Sequence, residues 1–175
     1  MSSSFDHQGS NGNGEIIECD EIVVLLADPH VVCYNDKILR SFPSMTITRK
    51  DILKILTNAL PKQVCIDIKF ATHESLQRVI WDKKETKTRI GHLICHGDEG
   101  ALYLECSQGD LSPITSQHIK DVYQAQNIYL MMIIACYSKE IGQAFVDAGV
   151  PYVICCKEKI VTCKVQFFCR KINPL

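Results

Sequence analysis

No stretch of this 175-residue chain approaches the roughly 18 consecutive apolar residues that would suggest a membrane span. Charge of one sign is also missing. Nineteen basic and twenty acidic side chains leave a formal net charge of -1, so no long-range field draws the chain to nucleic acid or to an anionic lipid surface. Neither a G-x-G-x-x-G turn nor a Walker sequence is present, which argues against a nucleotide-binding α/β domain. The first residues, MSSSFDHQGSNGNGE, lack a positive region followed by an apolar core. They do not read as a secretory signal, and residues 1–19 are expected to form a flexible polar tail.

Hydrophobic residues, at 46% of the chain, and cysteine, with ten copies, are plentiful. The first figure fits one compact domain with a real core. The second would suit a disulfide framework in a secreted protein. Without a signal, and with most cysteines inside apolar runs, reduced thiols in a cytoplasmic protein are the expectation. Buried free cysteine packs as a small apolar residue, so any chemical role for one of the ten must be argued from its own position.

The order of elements is more informative. EIVVLLA (21–27) and VCIDIKF (64–70) read as strands, the first β-branched and apolar enough to be covered on both faces. Residues 28–47 are broken by Pro29, Asn35, Asp36 and Pro43 and allow a hairpin. TRKDILKILTNAL (48–60) sets Ile52, Ile55, Leu56 and Ala59 on one helical face, with Thr48 and Asp51 at a capping start and Pro61 as the stop. Thr72 is placed to cap a helix over 73–81, and TRIGHLICHG is a third strand ending at His96. ALYLEC (101–106) suits an edge hairpin, a helix covers 115–126, and IYLMMIIAC (128–136) is the most apolar run and a central parallel strand. EIGQAFVDAG (140–149) makes a helix closed by Gly149. YVICC (152–156) and the amphipathic TCKVQFFCRKI (162–172) complete the pattern. Such alternation predicts an α/β three-layer sandwich, with a mostly parallel central sheet and helices on both faces.

In a parallel sheet the carboxyl ends of the strands share one edge, where ligand sites collect. His96 and Cys136 end two strands expected to be neighbours, about 4.8 Å apart. Cys136 also precedes a helix, whose N-terminal dipole favours thiolate, the nucleophilic form. Lys139 would strengthen the effect if its amine turned inward. Gly97, without a side chain, would let a substrate carbonyl approach the backbone. The N–H groups of Gly97 and Cys136 would then donate to an oxyanion. Nucleophile, proton carrier and oxyanion donors are what acyl transfer requires.

His96-Gly97, Ala135-Cys136-Tyr137-Ser138, and Ala144-Phe145 through Gly149 to Val153-Ile154 stand in this order. From residue 20 to 172 this pattern resembles the CHAT domain, of the caspase-like cysteine peptidases that include separases and metacaspases. The resemblance implies a caspase-like α/β domain over 20–175, truncated at its C-terminal end, with His96 as general acid and base and Cys136 as nucleophile. It implies a cysteine-type endopeptidase acting on a protein or peptide substrate, with no metal and no cofactor, and a regulatory protein partner as a further expectation. The chain departs from the family at Lys139, where a glycine is common, and at Glu158 and Thr162, where tryptophan and then aspartate are frequent.

Plainer readings stand beside these. Cys136 as an inert packing residue and His96 as a surface histidine leave a non-catalytic interaction module on the same fold. His92 and His96, four apart on one strand, would face the same side. Zinc pairs of that spacing usually sit on a helix, however, and no Cys-x-x-Cys completes a set. His92 is therefore expected to be structural. Cys95 should point away from His96, and Cys155 and Cys156 should pack on opposite faces. Cys163 and Cys169 should lie half-buried on the last helix. Asp98 and Glu99 read as a solvated turn.

Overall fold

The computed structural model describes residues 19–27, 33–34, 37–38, 54, 57–58, 64–81, 89–122 and 128–160. Five parallel strands form the central sheet: β1 (Glu21–Leu26), β4 (Cys65–Phe70), β5 (Arg89–Ile94), β9 (Ile128–Ile134) and β10 (Tyr152–Ile154). Their spatial order is β10-β9-β5-β1-β4. The chain starts near the middle, steps out to β4, returns past β1 to β5, and then proceeds outward to β10. β1 and β5 are paired from Glu21 opposite Arg89 to Leu26 opposite Ile94. At the first of these pairs Arg89 Nε donates to Glu21 Oε2 at 2.6 Å, with both side chains largely covered.

Among the described residues three helices with defined bounds connect the strands. They are α1 (His73–Trp81), α2 (Ser116–Val122) and α3 (Lys139–Asp147). Thr72 and Ser75 cap α1 reciprocally: the Ser75 N–H donates to Thr72 Oγ1 at 3.0 Å, and the Thr72 N–H to Ser75 Oγ at 2.9 Å. The segments carrying the three helices all step toward β10, and right-handed connections that step one way lie on one face. One buried cluster accordingly joins Leu76 and Ile80 of α1, Ile119 of α2 and Phe145 of α3 to Val23, Leu25, Leu93, Met131 and Ile133 of the sheet. Ile22, Val24, Leu26, Ile94 and Ile134 form a second cluster on the opposite face. Gly149 ends α3 as expected. It takes φ +102°, which favours glycine, and the N–H of Val150 returns to the Phe145 carbonyl at 3.0 Å.

The hairpin expected within 28–47 is present as the antiparallel pair β2 (Cys33–Tyr34) and β3 (Lys37–Ile38). Lys54, Thr57 and Asn58 are helical within the segment read as a helix over 48–60. The rest of that segment, residues 1–18 of the expected tail and the helix over 162–172 with Thr162, Cys163 and Cys169 lie outside the described residues.

Two expectations are corrected. The third strand does not run on to His96. It stops at Ile94, and the Cys95 N–H makes a last bond to the Ile134 carbonyl at 3.3 Å. His96 then opens β6 (His96–Asp98), which pairs antiparallel with β7 (Ala101–Glu105), and β7 pairs with β8 (Leu111–Thr115). The edge hairpin is thus a three-stranded meander that includes His96. Likewise β10 ends at Ile154, so Cys155 and Cys156 lie beyond the strand.

Candidate active site

His96 and Cys136 leave the sheet at the same edge, from adjacent strands. β5 and β9 are paired as far as Ile94 opposite Ile134. Two residues beyond this last pair stand His96 and Cys136. Their backbones meet through Gly97: a Cβ built there would collide with the Cys136 carbonyl oxygen, and would lie 3.1 Å from Ala135 Cβ and 3.3 Å from the Cys136 nitrogen. Gly97 was expected to leave room for a substrate. The structure gives a different reason, since the missing side chain lets β6 press against the Cys136 turn.

The turn itself is specialised. Tyr137 has φ +50°, a left-handed conformation that costs a bulky residue energy. Ser138 holds it. Its hydroxyl is fully buried, donates to the Ala135 carbonyl at 2.9 Å and accepts the Cys156 N–H at 2.9 Å. A serine before a helix ordinarily reads as an N-cap. Ser138 occupies the N-cap position of α3, yet its side chain makes no capping bond. The carbonyl of Ser138 instead accepts the Gly142 N–H at 2.8 Å, while the hydroxyl bridges the Cys136 turn to the end of β10. Sequence inspection places Ser138 in the motif but leaves this bridge unseen, because Cys156 is 18 residues away.

Cys136 is half-buried, and its sulfur accepts a hydrogen bond from the Ile160 N–H at 3.3 Å. The same loop returns at a second point, where the Tyr137 N–H donates to the Glu158 carbonyl at 3.4 Å. Nothing in the sequence signals this return, since Ile160 belongs to no recognisable motif. His96 is half-buried opposite Tyr103, with its Nε2 atom inaccessible to solvent.

The neighbouring groups sort themselves clearly. Cys95 packs in the core, and burial drives its thiol well above the ordinary range. Cys155 packs against the same core. Burial raises its thiol too, with the Lys139 charge opposing that rise. Lys139 is exposed. The inward turn toward Cys136 considered from the sequence is not what its position favours. Burial also raises Cys156, whose sulfur lies 3.9 Å from the Ile133 carbonyl.

His92 sits mid-strand, opposite Val24 and Met132, and burial alone lowers its pKa to about 4. It is neutral at physiological pH, and its Nε2 makes no hydrogen bond. His92 and His96 lie in different sheets, so the same-face argument for a continuous strand does not apply. Among the described residues no group of three His, Cys, Asp or Glu side chains is arranged to hold a metal.

Asp98 belongs to β6, and the Glu99-Gly100 turn links it to β7. Beside this turn a cavity of about 600 Å³ opens toward α3, lined by Glu99, Gly100, Tyr137, Lys139, Glu140 and Lys157. Glu140 accepts the Ser116 hydroxyl at 2.6 Å and so ties the start of α2 to α3. The cavity carries both signs of charge next to the Cys136 turn. Among the described residues no helix is long and apolar enough to cross a membrane. Neither a protein-family model nor a curated protein matches the chain.

Proposed function

We propose that the protein is a cysteine endopeptidase with a caspase-like, CHAT-type site. Cys136 is the nucleophile and His96 the general acid and base. The observation that carries this reading is the contact of Gly97 with the Cys136 backbone, which joins the two strand ends at one edge of the sheet. His96 accepts the thiol proton as the sulfur attacks the scissile carbonyl carbon. The N–H groups of Gly97 and Cys136 steady the oxyanion. His96 then gives its proton to the leaving amine, and a thioester remains on Cys136. His96 next takes a proton from water, the hydroxide attacks the thioester, and the carboxylic product leaves as the thiol is restored.

An extended peptide or protein segment, aligned by main-chain pairing, is the substrate class this site suits. The cavity beside Tyr137 is available for one of its side chains. Seven cysteines are free among the described residues, which fits a reducing compartment such as the cytoplasm. The hydrogen bond from Ile160 to the Cys136 sulfur favours a second reading, a non-catalytic interaction module in which that sulfur is structural.

The test is cleavage of a peptide library by the parent and by Cys136→Ala, with circular dichroism to show that both are folded. Loss of all cleavage in the variant is expected. Equal cleavage by the two proteins would remove Cys136 from the mechanism.

A further inference from the structure

The segment after β10 crosses the Cys136 turn and touches it in three places. At its near end Cys156 is clamped through main chain and hydroxyl to Ser138. In the middle the Glu158 carbonyl accepts the Tyr137 N–H. At its far end the Ile160 N–H points at the Cys136 sulfur from 3.3 Å, and the Ile160 carbonyl oxygen is 4.0 Å from the same atom. Ile160 is anchored by packing against the cluster of Ile22, Val24, Leu26, Ile94 and Ile134. Between the two anchors, Lys157, Glu158 and Lys159 are all exposed. The segment is therefore an arch held at both ends, and its middle side chains contribute nothing to the core.

A peptide bond undergoing attack must bring its carbonyl carbon against the Cys136 sulfur. Main chain of the protein itself already stands beside that atom. We infer that residues 157–160 form an autoinhibitory strap, which shields Cys136 from a peptide substrate until the arch is lifted or cut. This rests on Cys136 being the nucleophile of the proposed peptidase. The strap gives the three exposed residues a role. They form an accessible stretch, with two basic side chains, where a protein partner or a protease can act without disturbing the sheet. Release requires the loss of the Ile160 and Glu158 main-chain bonds and the lifting of one isoleucine, a local opening of the kind folded proteins undergo without global unfolding.

The experiment compares reduced parent protein with two variants. Ile160→Pro removes the donor N–H. The triple change Lys157→Gly, Glu158→Gly and Lys159→Gly loosens the arch without touching a buried residue. Iodoacetamide alkylation of Cys136 is followed by peptide mass spectrometry, and the other cysteines serve as internal references. Ile160→Pro should label Cys136 up to about tenfold faster than the parent, the factor that one lost main-chain hydrogen bond supports, and the triple variant should also label it faster because its arch opens more often. An unchanged or slower rate in the triple variant overturns the strap, since the sulfur would then be open already or activated by the Ile160 contact. A peptide carrying a chloromethyl ketone tests the peptidase reading separately. If iodoacetamide labelling accelerates while the peptide reagent shows no preference for Cys136, residues 157–160 cover the sulfur but inhibit no peptidase, and the autoinhibitory role falls together with the peptidase reading.

Discussion

Replacing Ser138 by alanine removes one hydroxyl and leaves two main-chain groups without their partner. The Ala135 carbonyl loses its donor at 2.9 Å, and the Cys156 N–H loses its acceptor at 2.9 Å. The hydroxyl they share is fully buried. Each unsatisfied buried group costs about 1–3 kcal/mol. Because Cys156 is only half-buried, a total near the low end, about 3 kcal/mol, is expected for Ser138→Ala. In a domain of this size that corresponds to a drop in melting temperature of roughly 6–12 °C. Urea denaturation and a thermal scan of parent and variant measure both quantities. Ser138→Asn separates the bridge from a helix cap, since asparagine caps well but is too large for this buried bridge. A Ser138→Ala variant within about 0.5 kcal/mol of the parent, the range of ordinary surface changes, refutes the bridge. Full stability in Ser138→Asn would point to capping instead.

Gly97→Ala should force β6 away from the Cys136 turn, because the added methyl meets backbone that cannot rotate aside. A cost of about 1–3 kcal/mol and, for a displacement of order 1 Å, a roughly hundredfold loss of peptide cleavage are expected. Denaturation and cleavage rates check this, and parent-like values in both would remove the close approach from the argument. His92 has a folded pKa of about 4, below the 6.5 of an exposed histidine. The unfolded chain therefore binds the proton more readily. Stability is complete above the higher value, declines as pH falls toward 4, and levels off below it, a total of about 3 kcal/mol. His92→Leu should flatten that part of the curve relative to the parent in urea titrations, and identical slopes would count against it.

The alternation of runs such as EIVVLLA, VCIDIKF and IYLMMII with helical segments was enough to indicate a parallel α/β sheet. Periodicity and apolar content report directly which faces must be buried. The same signal placed His96 and Cys136 at one sheet edge, because neighbouring parallel strands end together. It could not show that the strand breaks at Cys95. That break depends on whether His96 pairs with Ile134's neighbours or with Tyr103, a competition between partners distant in sequence.

The sequence by itself therefore determined the α/β class of fold, the sheet edge beyond which the imidazole and the thiol stand, and the turn that needs Gly149. Only the tertiary structure decided why Gly97 must lack a side chain, what Ser138 bridges, and that Ile160 lies on the Cys136 sulfur. The physical reason is one of range. Hydrophobic period and turn chemistry act over a few residues and are written locally. A hydroxyl shared across 18 residues or an amide aimed at a sulfur across 24 exists only once the chain has closed on itself.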